Sequence, residues 1–162
     1  MWVSDMGGYL YRYDAASLAS SGAPTPAVTI DATAYGSLAG LAFDASGNLW
    51  TKEFMGNRVL GYSPAQLAVS GAPAAAVVIS TNSGSLTWPV GIAFDAGGNL
   101  WVSNLFANTV VRFSSAQLAV TGSPVPTATL SASGGSLAEP YLLAFDADGN
   151  LWVSNISTPN TV

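Results

Sequence analysis

Residues 91–131 read GIAFDAGGNLWVSNLFANTVVRFSSAQLAVTGSPVPTATLS, and residues 40–80 repeat this unit as GLAFDASGNLWTKEFMGNRVLGYSPAQLAVSGAPAAAVVIS. A further copy breaks off after LLAFDADGNLWVSN at residues 142–155, and residues 1–30 match the unit without its beginning. Each of the three later copies contains a Phe-Asp pair, and these pairs recur every 51 residues, at Phe43, Phe94 and Phe145. A period of this length indicates stacked structural repeats. The repeat therefore determines the fold.

Each unit contains short segments with the composition of β-strands. In the copy at residues 91–131, a first apolar strand ends at Phe94, and Asn-Leu-Trp-Val-Ser at 99–103 forms the second strand. The third strand covers 109–113 and the fourth covers 127–130. The first two strands are joined by a tight turn, where Gly and Asn tolerate positive φ and a leading Asp can accept hydrogen bonds from the turn amides. This predicts a structural role for the leading residues Asp44, Asp95 and Asp146.

The third and fourth strands are joined by a segment that is bounded by Pro and Gly. Its sequence SPAQLAVSGAP at 63–73 predicts one or two helical turns near 64–70, and its copy predicts the same near 115–121. Four strands in an antiparallel meander are typical of a β-propeller blade. We expect an all-β chain of about three such blades. The recurring Trp2, Trp50, Trp101 and Trp152 are predicted to pack between neighbouring blades.

Both ends of the sequence fall inside a blade. The sequence starts at a second strand and stops at a match to the start of a third strand. Closed propellers contain about 4–8 blades. We therefore expect residues 1–162 to be a single propeller region that is incomplete at both ends, an excerpt of a propeller of six to eight blades. The alternative is assembly with a second copy, and open blade edges favour self-association in either case.

The composition excludes several classes of function. With four Lys and Arg in 162 residues and a net charge of −5, the chain has no basic patch for nucleic acid. It contains no Cys and no His, so disulfides, thiolate sites and the commonest general base are absent. No apolar run approaches the ~18 residues that a membrane span requires. The low charge and abundant Ser, Thr, Ala and Gly favour an extracellular or periplasmic protein.

Residues 91–114, GIAFDAGGNLWVSNLFANTVVRFS, resemble the NHL-type propeller repeat. They are also similar to blades of the senescence-marker/gluconolactonase and virginiamycin B lyase families, and LWTKE at 49–53 is similar to the second-strand ending of the lyases. The lyase resemblance implies a His general base with a Glu and a magnesium ion. The lactonase resemblance implies a divalent cation held by Glu, Asn and Asp near the propeller axis. Because this chain has no His, the chemistry of the lyases cannot be carried over.

Four polar residues follow the second strand of successive copies. Repeat symmetry places them at the same end of the blades, where their oxygens predict a partial ring for a hard cation or a sugar-like ligand. They are Asp5, Glu53, Asn104 and Asn155. The two carboxylates, Asp5 and Glu53, are the candidate metal ligands, for Ca²⁺ or Mg²⁺, although no cofactor is required. The alternative is that all four side chains cap the turn after the strand.

Two further candidates lie in the loops that precede a first strand. Trp88 breaks the repeat before Pro89, and Glu139 aligns with it before Pro140. A loop residue outside the repeated pattern points to function more strongly than a core residue does. Trp88 and Glu139 are therefore predicted as ligand contacts.

Two functions from different classes remain open. The first is a non-enzymatic NHL-like binding or scaffold module for a protein or a carbohydrate-like ligand. The second is a metal-dependent enzyme similar to the lactonases or lyases. The absence of His and of a Gly-x-Ser-x-Gly nucleophile motif favours the binding module.

Overall fold

The computed structural model describes residues 1–81, 84–132 and 134–157. In this part of the chain, 13 strands form four antiparallel sheets, each a blade. Blade 1 contains β1 (Trp2–Ser4), β2 (Tyr9–Arg12) and β3 (Val28–Asp31). Blade 2 contains β4 (Leu38–Phe43), β5 (Leu49–Glu53), β6 (Arg58–Tyr62) and β7 (Val77–Ile79). Blade 3 contains β8 (Pro89–Phe94), β9 (Leu100–Asn104), β10 (Thr109–Phe113) and β11 (Ala128–Ser131), and blade 4 contains β12 (Pro140–Phe145) and β13 (Leu151–Asn155).

The architecture confirms the all-β propeller prediction. Blades 2 and 3 are complete four-stranded meanders, and blades 1 and 4 contribute three and two strands. The predicted helical turns are shorter than expected, because they are single 3₁₀ turns at Ala15–Leu18, Gln66–Ala68 and Gln117–Ala119. Among the described residues, no helix has the length and apolar character needed to span a membrane.

The first strands of blades 2, 3 and 4 are longer than their Leu-Ala-Phe or Ile-Ala-Phe cores predict. β4 begins at Leu38 because a bulge between Ala39 and Leu41 keeps it paired with β5. Gly40 forms this bulge at φ +68°, a conformation that favours glycine. β8 and β12 have the same irregularity near their starts. The extra residues bring the first strands to the loops where the candidate site lies.

The turn between the first and second strands is held by its Asp, as predicted. In blade 2, Oδ1 of Asp44 accepts bonds from the backbone of Ser46 and Asn48, both at 2.9 Å. Its Oδ2 accepts bonds from Asn48 Nδ2 at 2.7 Å and from Trp50 Nε1 at 2.9 Å. Asp95 and Asp146 accept the corresponding bonds from Trp101 and Trp152. The repeated Trp is thereby fixed to the turn of its own blade.

The same Trp packs against the next blade. The rings of Trp50 and Phe94 meet edge to face with centroids 6.2 Å apart, and Trp101 meets Phe145 in the same way at 6.0 Å. Trp50 is only 2% exposed. The first strands also pack together, β4 with β8 and β8 with β12. The core therefore lies in the contact zones between blades, as the Trp series predicts.

The outermost strand of a blade also bonds to the next blade. Ile30 in β3 forms a parallel bridge with Gly71, and Ile79 in β7 forms one with Gly122. Val78 N donates to Thr121 Oγ1 at 3.0 Å. The outermost strands β3 and β7 are therefore not free edges.

Candidate functional site

The four polar residues predicted as a ring occupy equivalent positions. Asp5 directly follows β1, while Glu53, Asn104 and Asn155 are the last residues of β5, β9 and β13. All four stand at the end of the blades where the second strand turns into the third. Their hydrogen bonds show how each side chain is used.

The two carboxylates bond to the turn that follows them. Asp5 Oδ1 accepts from Tyr9 N at 2.8 Å, and Oδ2 accepts from the Tyr11 hydroxyl at 3.3 Å. Glu53 is buried, and its Oε1 accepts from Met55 N at 2.8 Å. Its Oε2 accepts from Gly56 N at 2.7 Å and from the Arg58 guanidinium at 3.2 Å. Each oxygen of both carboxylates therefore already serves a donor of this chain.

The two amides connect loops within their blades. Asn104 is buried, its Oδ1 accepts from Thr87 N at 3.0 Å, and its Nδ2 donates to Ser85 O at 2.9 Å and Thr109 Oγ1 at 3.1 Å. Asn155 makes the equivalent bonds to Ala138 N and Ser136 O. These two side chains join the loop before the first strand to the end of the second strand.

The oxygens at this end do not form a ready cation site. In the described ranges 1–81, 84–132 and 134–157, no three or more His, Cys, Asp or Glu residues come together where they could hold a metal ion. A cation at Glu53 would have to displace backbone amides or the Arg58 guanidinium. The donor set therefore does not fit a bound divalent ion without rearrangement. Binding of Ca²⁺ or Mg²⁺ by Asp5 and Glu53 stays a prediction.

Trp88 and Glu139 occupy equivalent loop positions in blades 3 and 4. Both have φ +51°, which is unusual for residues with side chains. Trp88 N donates to Asn57 Oδ1 at 2.8 Å, and Glu139 N donates to Asn108 Oδ1 at 2.7 Å. Each Asn belongs to the preceding blade. These bonds between blades fix the loops from which Trp88 and Glu139 project.

The surroundings of Trp88 are aromatic, and only Trp88 itself was singled out from the sequence. Its ring meets Phe106 at 5.1 Å between centroids and Phe54 at 6.2 Å, both edge to face. Trp88 is 38% exposed and Phe106 is 58% exposed. We call these three residues, Phe54, Trp88 and Phe106, the aromatic cluster. Phe54 and Phe106 each follow a second strand within two residues, so the cluster joins blades 2 and 3.

A lysine that the sequence analysis did not select lies beneath this cluster. Lys52 is the penultimate residue of β5 and is 0% exposed. Its Nζ lies 3.1 Å from the centroid of the Phe54 ring, and no residue in the described part of the chain accepts a hydrogen bond from it. Burial lowers the pKa of Lys52 to about 7.

Comparing the copies of the repeat position by position identifies Lys52 as a departure from the pattern. The equivalent positions in the other copies hold Ser4, Ser103 and Ser154. Ser103 Oγ accepts from Gly91 N at 2.7 Å and donates to Tyr141 O of blade 4 at 2.7 Å. The serine therefore connects two blades through one hydroxyl. Lys52 replaces this hydroxyl with a long amine.

A cleft lies at the opposite end of blades 2 and 3. It has a volume of about 390 Å³, and its lining includes the apolar Phe94 and Leu118 and the polar Asp44 and Ser115. Burial by itself would raise the pKa of Asp44. Hydrogen bonds from Asn48 and Trp50 outweigh this effect, so the pKa of Asp44 lies below its usual value. The carboxylate is thus stabilised as an anion by the turn that it caps.

Comparison with protein-family models finds no match, and comparison with curated proteins finds none either. Comparison with solved structures does find relatives in fold. Virginiamycin B lyase from Staphylococcus aureus superposes with a TM-score of 0.61 at 14% identity, over 95% of this chain and 44% of that protein. The extracellular domain of a one-component system protein from B. thetaiotaomicron gives 0.63 at 17% identity, over 94% of this chain and 20% of that one. A protein described as a 6-phosphogluconolactonase from Bacteroides uniformis gives 0.56 at 14% identity, over 93% and 44%.

These similarities establish the fold. The chain has the propeller fold of virginiamycin B lyase and of the lactonase-like proteins, as its repeat sequence predicted. It spans 44% of the length of the lyase. At identities of 14–17%, the likeness shows the fold alone.

Proposed function

We propose that this chain is a non-enzymatic, NHL-like binding module whose contact surface is the aromatic cluster, and that its ligand is carbohydrate-like. The observation that carries this proposal is the exposure of Trp88 and Phe106 at the loop end of the blades. The polar side chains beside them are engaged within the chain, so the rings are the groups left to contact a ligand. Aromatic rings provide large contact areas at low cost in conformational entropy.

The backbone around Trp88 supports this assignment. Its positive φ and the bond from its backbone N–H to Asn57 of the neighbouring blade hold the main chain from which the indole projects. Trp88 O also accepts from Leu105 N at 3.1 Å, which fixes the loop to its own blade. A contact residue that is ordered before binding loses less entropy when the ligand arrives. Backbone strain of this kind is common at functional sites.

The proposal is tested with Trp88→Ala, which removes the central ring. Linear gluco- and manno-oligosaccharides are titrated into the chain while tryptophan fluorescence and heat are recorded. We expect binding to the natural sequence and at least tenfold weaker binding to Trp88→Ala. Val120→Ala, which removes an exposed apolar side chain outside the cluster, should bind as tightly as the natural sequence. Equal affinity of Trp88→Ala, or saturable binding to a protein and not to any oligosaccharide, would overturn the carbohydrate proposal.

A metal-dependent enzyme is the second candidate, and the lyase and lactonase-like neighbours favour it. Its test is metal content after dialysis, followed by lactone hydrolysis with and without Mg²⁺ and Ca²⁺. We expect neither retained metal nor turnover. Retained metal together with metal-dependent hydrolysis would replace the binding module as the proposed function.

A further inference from the structure

Lys52 is the only lysine of the chain and it is completely buried. A buried amine without a hydrogen-bond acceptor is costly, and native proteins retain few such groups. Within the described residues, Lys52 Nζ is one of three buried side-chain atoms without a hydrogen-bond partner. It is also the point where blade 2 departs from the serine of the other copies. Natural proteins keep local violations of this kind at functional or strained sites.

The environment of Lys52 is formed by the Phe54 ring, by the side chain of Ile92 and by one backbone carbonyl, Val90 O, which would lie 3.1 Å from a Cβ placed on Gly40. The Phe54 ring covers Nζ at 3.1 Å. The side chain runs past the bulge of β4, where a Cβ placed on Gly40 would lie 3.8 Å from Lys52 Cγ and 3.9 Å from Cγ1 of Ile92. Phe54 itself is only partly buried and belongs to the exposed aromatic cluster. One side chain therefore separates the amine from the proposed ligand surface.

We propose that Lys52 is an imine-forming amine for small aldehydes or ketones that reach it when the Phe54 ring moves aside. The inference rests on the proposed function, because Phe54 is both a member of the aromatic cluster and the cover of the amine. It adds the class of ligand: a carbonyl compound, such as the open-chain form of a sugar.

The chemistry requires no oxidant or metal. The lone pair of the neutral Nζ adds to the carbonyl carbon, and the carbonyl oxygen then leaves as water with the two protons of the amine. The C=O double bond is replaced by C=N, and no electron is gained or lost. The neutral imine suits this buried site, whereas a carbamate formed from carbon dioxide would bury an unpaired anion. The lowered pKa of Lys52, about 7, supports the proposal, because about half of the amine is then neutral at pH 7 and the neutral form is the nucleophile.

Because the chain has a single lysine, labelling of amines can be assigned to one side chain. Only two amines exist, Lys52 Nζ and the N-terminal amine of Met1, which donates to Tyr13 O at 2.8 Å. The folded chain is incubated at pH 7 with glycolaldehyde and cyanoborohydride, which traps imines, and peptide mass spectrometry locates the adduct. We expect Lys52 to be labelled at least tenfold faster in the folded chain than in guanidinium chloride, where the amine has an ordinary pKa. Labelling only at Met1 in the folded chain, or faster labelling of Lys52 after unfolding, would overturn the proposal.

Two variants complete the design. Phe54→Ala removes the cover and should raise the rate at Lys52 several-fold, and an unchanged rate would contradict the gating role of Phe54. Trp88→Ala separates this inference from the proposed function, because glycolaldehyde has no ring to stack on the cluster. Retained labelling with lost oligosaccharide binding supports both statements. If Lys52 of the natural chain is not labelled, the imine proposal alone is overturned. If Trp88→Ala binds oligosaccharides as tightly as the natural chain, the proposed binding surface alone is overturned.

Discussion

Lys52 and Ser103 occupy equivalent positions in blades 2 and 3, but their polar groups have different surroundings. Ser103 satisfies Gly91 N and Tyr141 O with a single hydroxyl between two blades. Lys52 Nζ has no acceptor among the described residues and lies over the face of an aromatic ring. A ring contact is worth about 0.5–2 kcal/mol, less than the cost of burying an isolated ammonium. The lysine therefore lowers the stability of the fold.

Replacing this lysine should stabilise the chain. Lys52→Met keeps the length of the side chain without its charge, and we expect the free energy of unfolding at pH 7 to rise by about 1–3 kcal/mol. Urea unfolding followed by tryptophan fluorescence measures this change. Ser103→Ala is the matched control, and it should destabilise because it leaves Gly91 N without its acceptor. If Lys52→Met had a lower free energy of unfolding than the natural chain, the interpretation that buried Lys52 destabilises the fold would be wrong.

The natural chain should also become more stable as the pH rises from about 7 to 9. Lys52 has a pKa of about 7 when folded, and the unfolded chain has a pKa near 10.4, so the unfolded state binds more protons in this window. Each pH unit then adds up to about 1.4 kcal/mol. Urea midpoints at pH 7, 8 and 9 measure the slope, which Lys52→Met should abolish. An equal slope in the variant would assign it to another group.

Glu53 is the residue at which turn capping and metal binding make different predictions. Glu53→Gln retains one acceptor oxygen but loses the charge that faces Arg58, so we expect a loss of about 1–3 kcal/mol in the free energy of unfolding. Titration with Ca²⁺ and Mg²⁺ should give the same heats for both proteins. Saturable heat in the natural chain that disappears in Glu53→Gln would instead establish the cation site.

The sequence identified the ring positions, Trp88 and Glu139, but not how their atoms are used. Repeat symmetry is enough to place Asp5 and Glu53 at one end of the blades. It does not say whether a carboxylate faces a ligand or its own turn, because that depends on backbone geometry. Lys52 was missed for a different reason. It belongs to LWTKE at 49–53, which was interpreted only as a resemblance to the second-strand ending of the lyases. Its departure from serine was visible in the sequence.

At the scale of elements, the turn between the first two strands is the unit that the sequence predicts best. Its Asn and Trp lie four and six residues after its Asp, so their bonds follow from local geometry. Bulges are harder to predict, because Gly40 and Gly91 are required by the approach of a neighbouring blade. A Cβ on Gly91 would collide with Tyr141 O of blade 4. Such contacts between blades are not encoded in any single repeat.

The same turns should control stability in acid. A hydrogen bond from Trp152 and bonds from Asn150 lower the pKa of Asp146 to about 2, and the pKa of Asp95 is lowered by bonds from Trp101 and Asn99 that outweigh its burial. Carboxylates with a depressed pKa contribute stability above their unfolded pKa, near 3.9, and lose it as the pH falls through the folded value. We expect the free energy of unfolding to decrease between about pH 4.5 and 2. Urea unfolding across this range should show a weaker decrease for Asp95→Asn, which cannot titrate at that turn, and an unchanged profile would contradict this origin.

At the scale of the whole molecule, stability comes from the contacts between blades. Trp50, Ile79 and Leu86 belong to one buried cluster with residues of blade 3 such as Val102 and Phe113. The sequence predicts this arrangement, because each of the three later copies supplies one Trp and one Phe in fixed register. It does not predict which contact zone carries a function, since a single departure such as Lys52 is not part of the repeated pattern.

Blade 4 exposes apolar side chains, one of which is buried at the equivalent position of blade 2. Trp152 is 66% exposed, whereas the equivalent Trp50 is covered by blade 3 and is 2% exposed. Leu142 is also exposed on β12, and contiguous exposed apolar residues favour association. We expect this 162-residue chain to self-associate with rising concentration in sedimentation velocity. Leu142→Asp should shift the equilibrium at least fivefold towards monomer, because association would bury its charge. Val125→Asp, at an exposed position on the segment before β11, should leave the equilibrium unchanged, and a monomer at every concentration of the natural chain would show that this face does not associate.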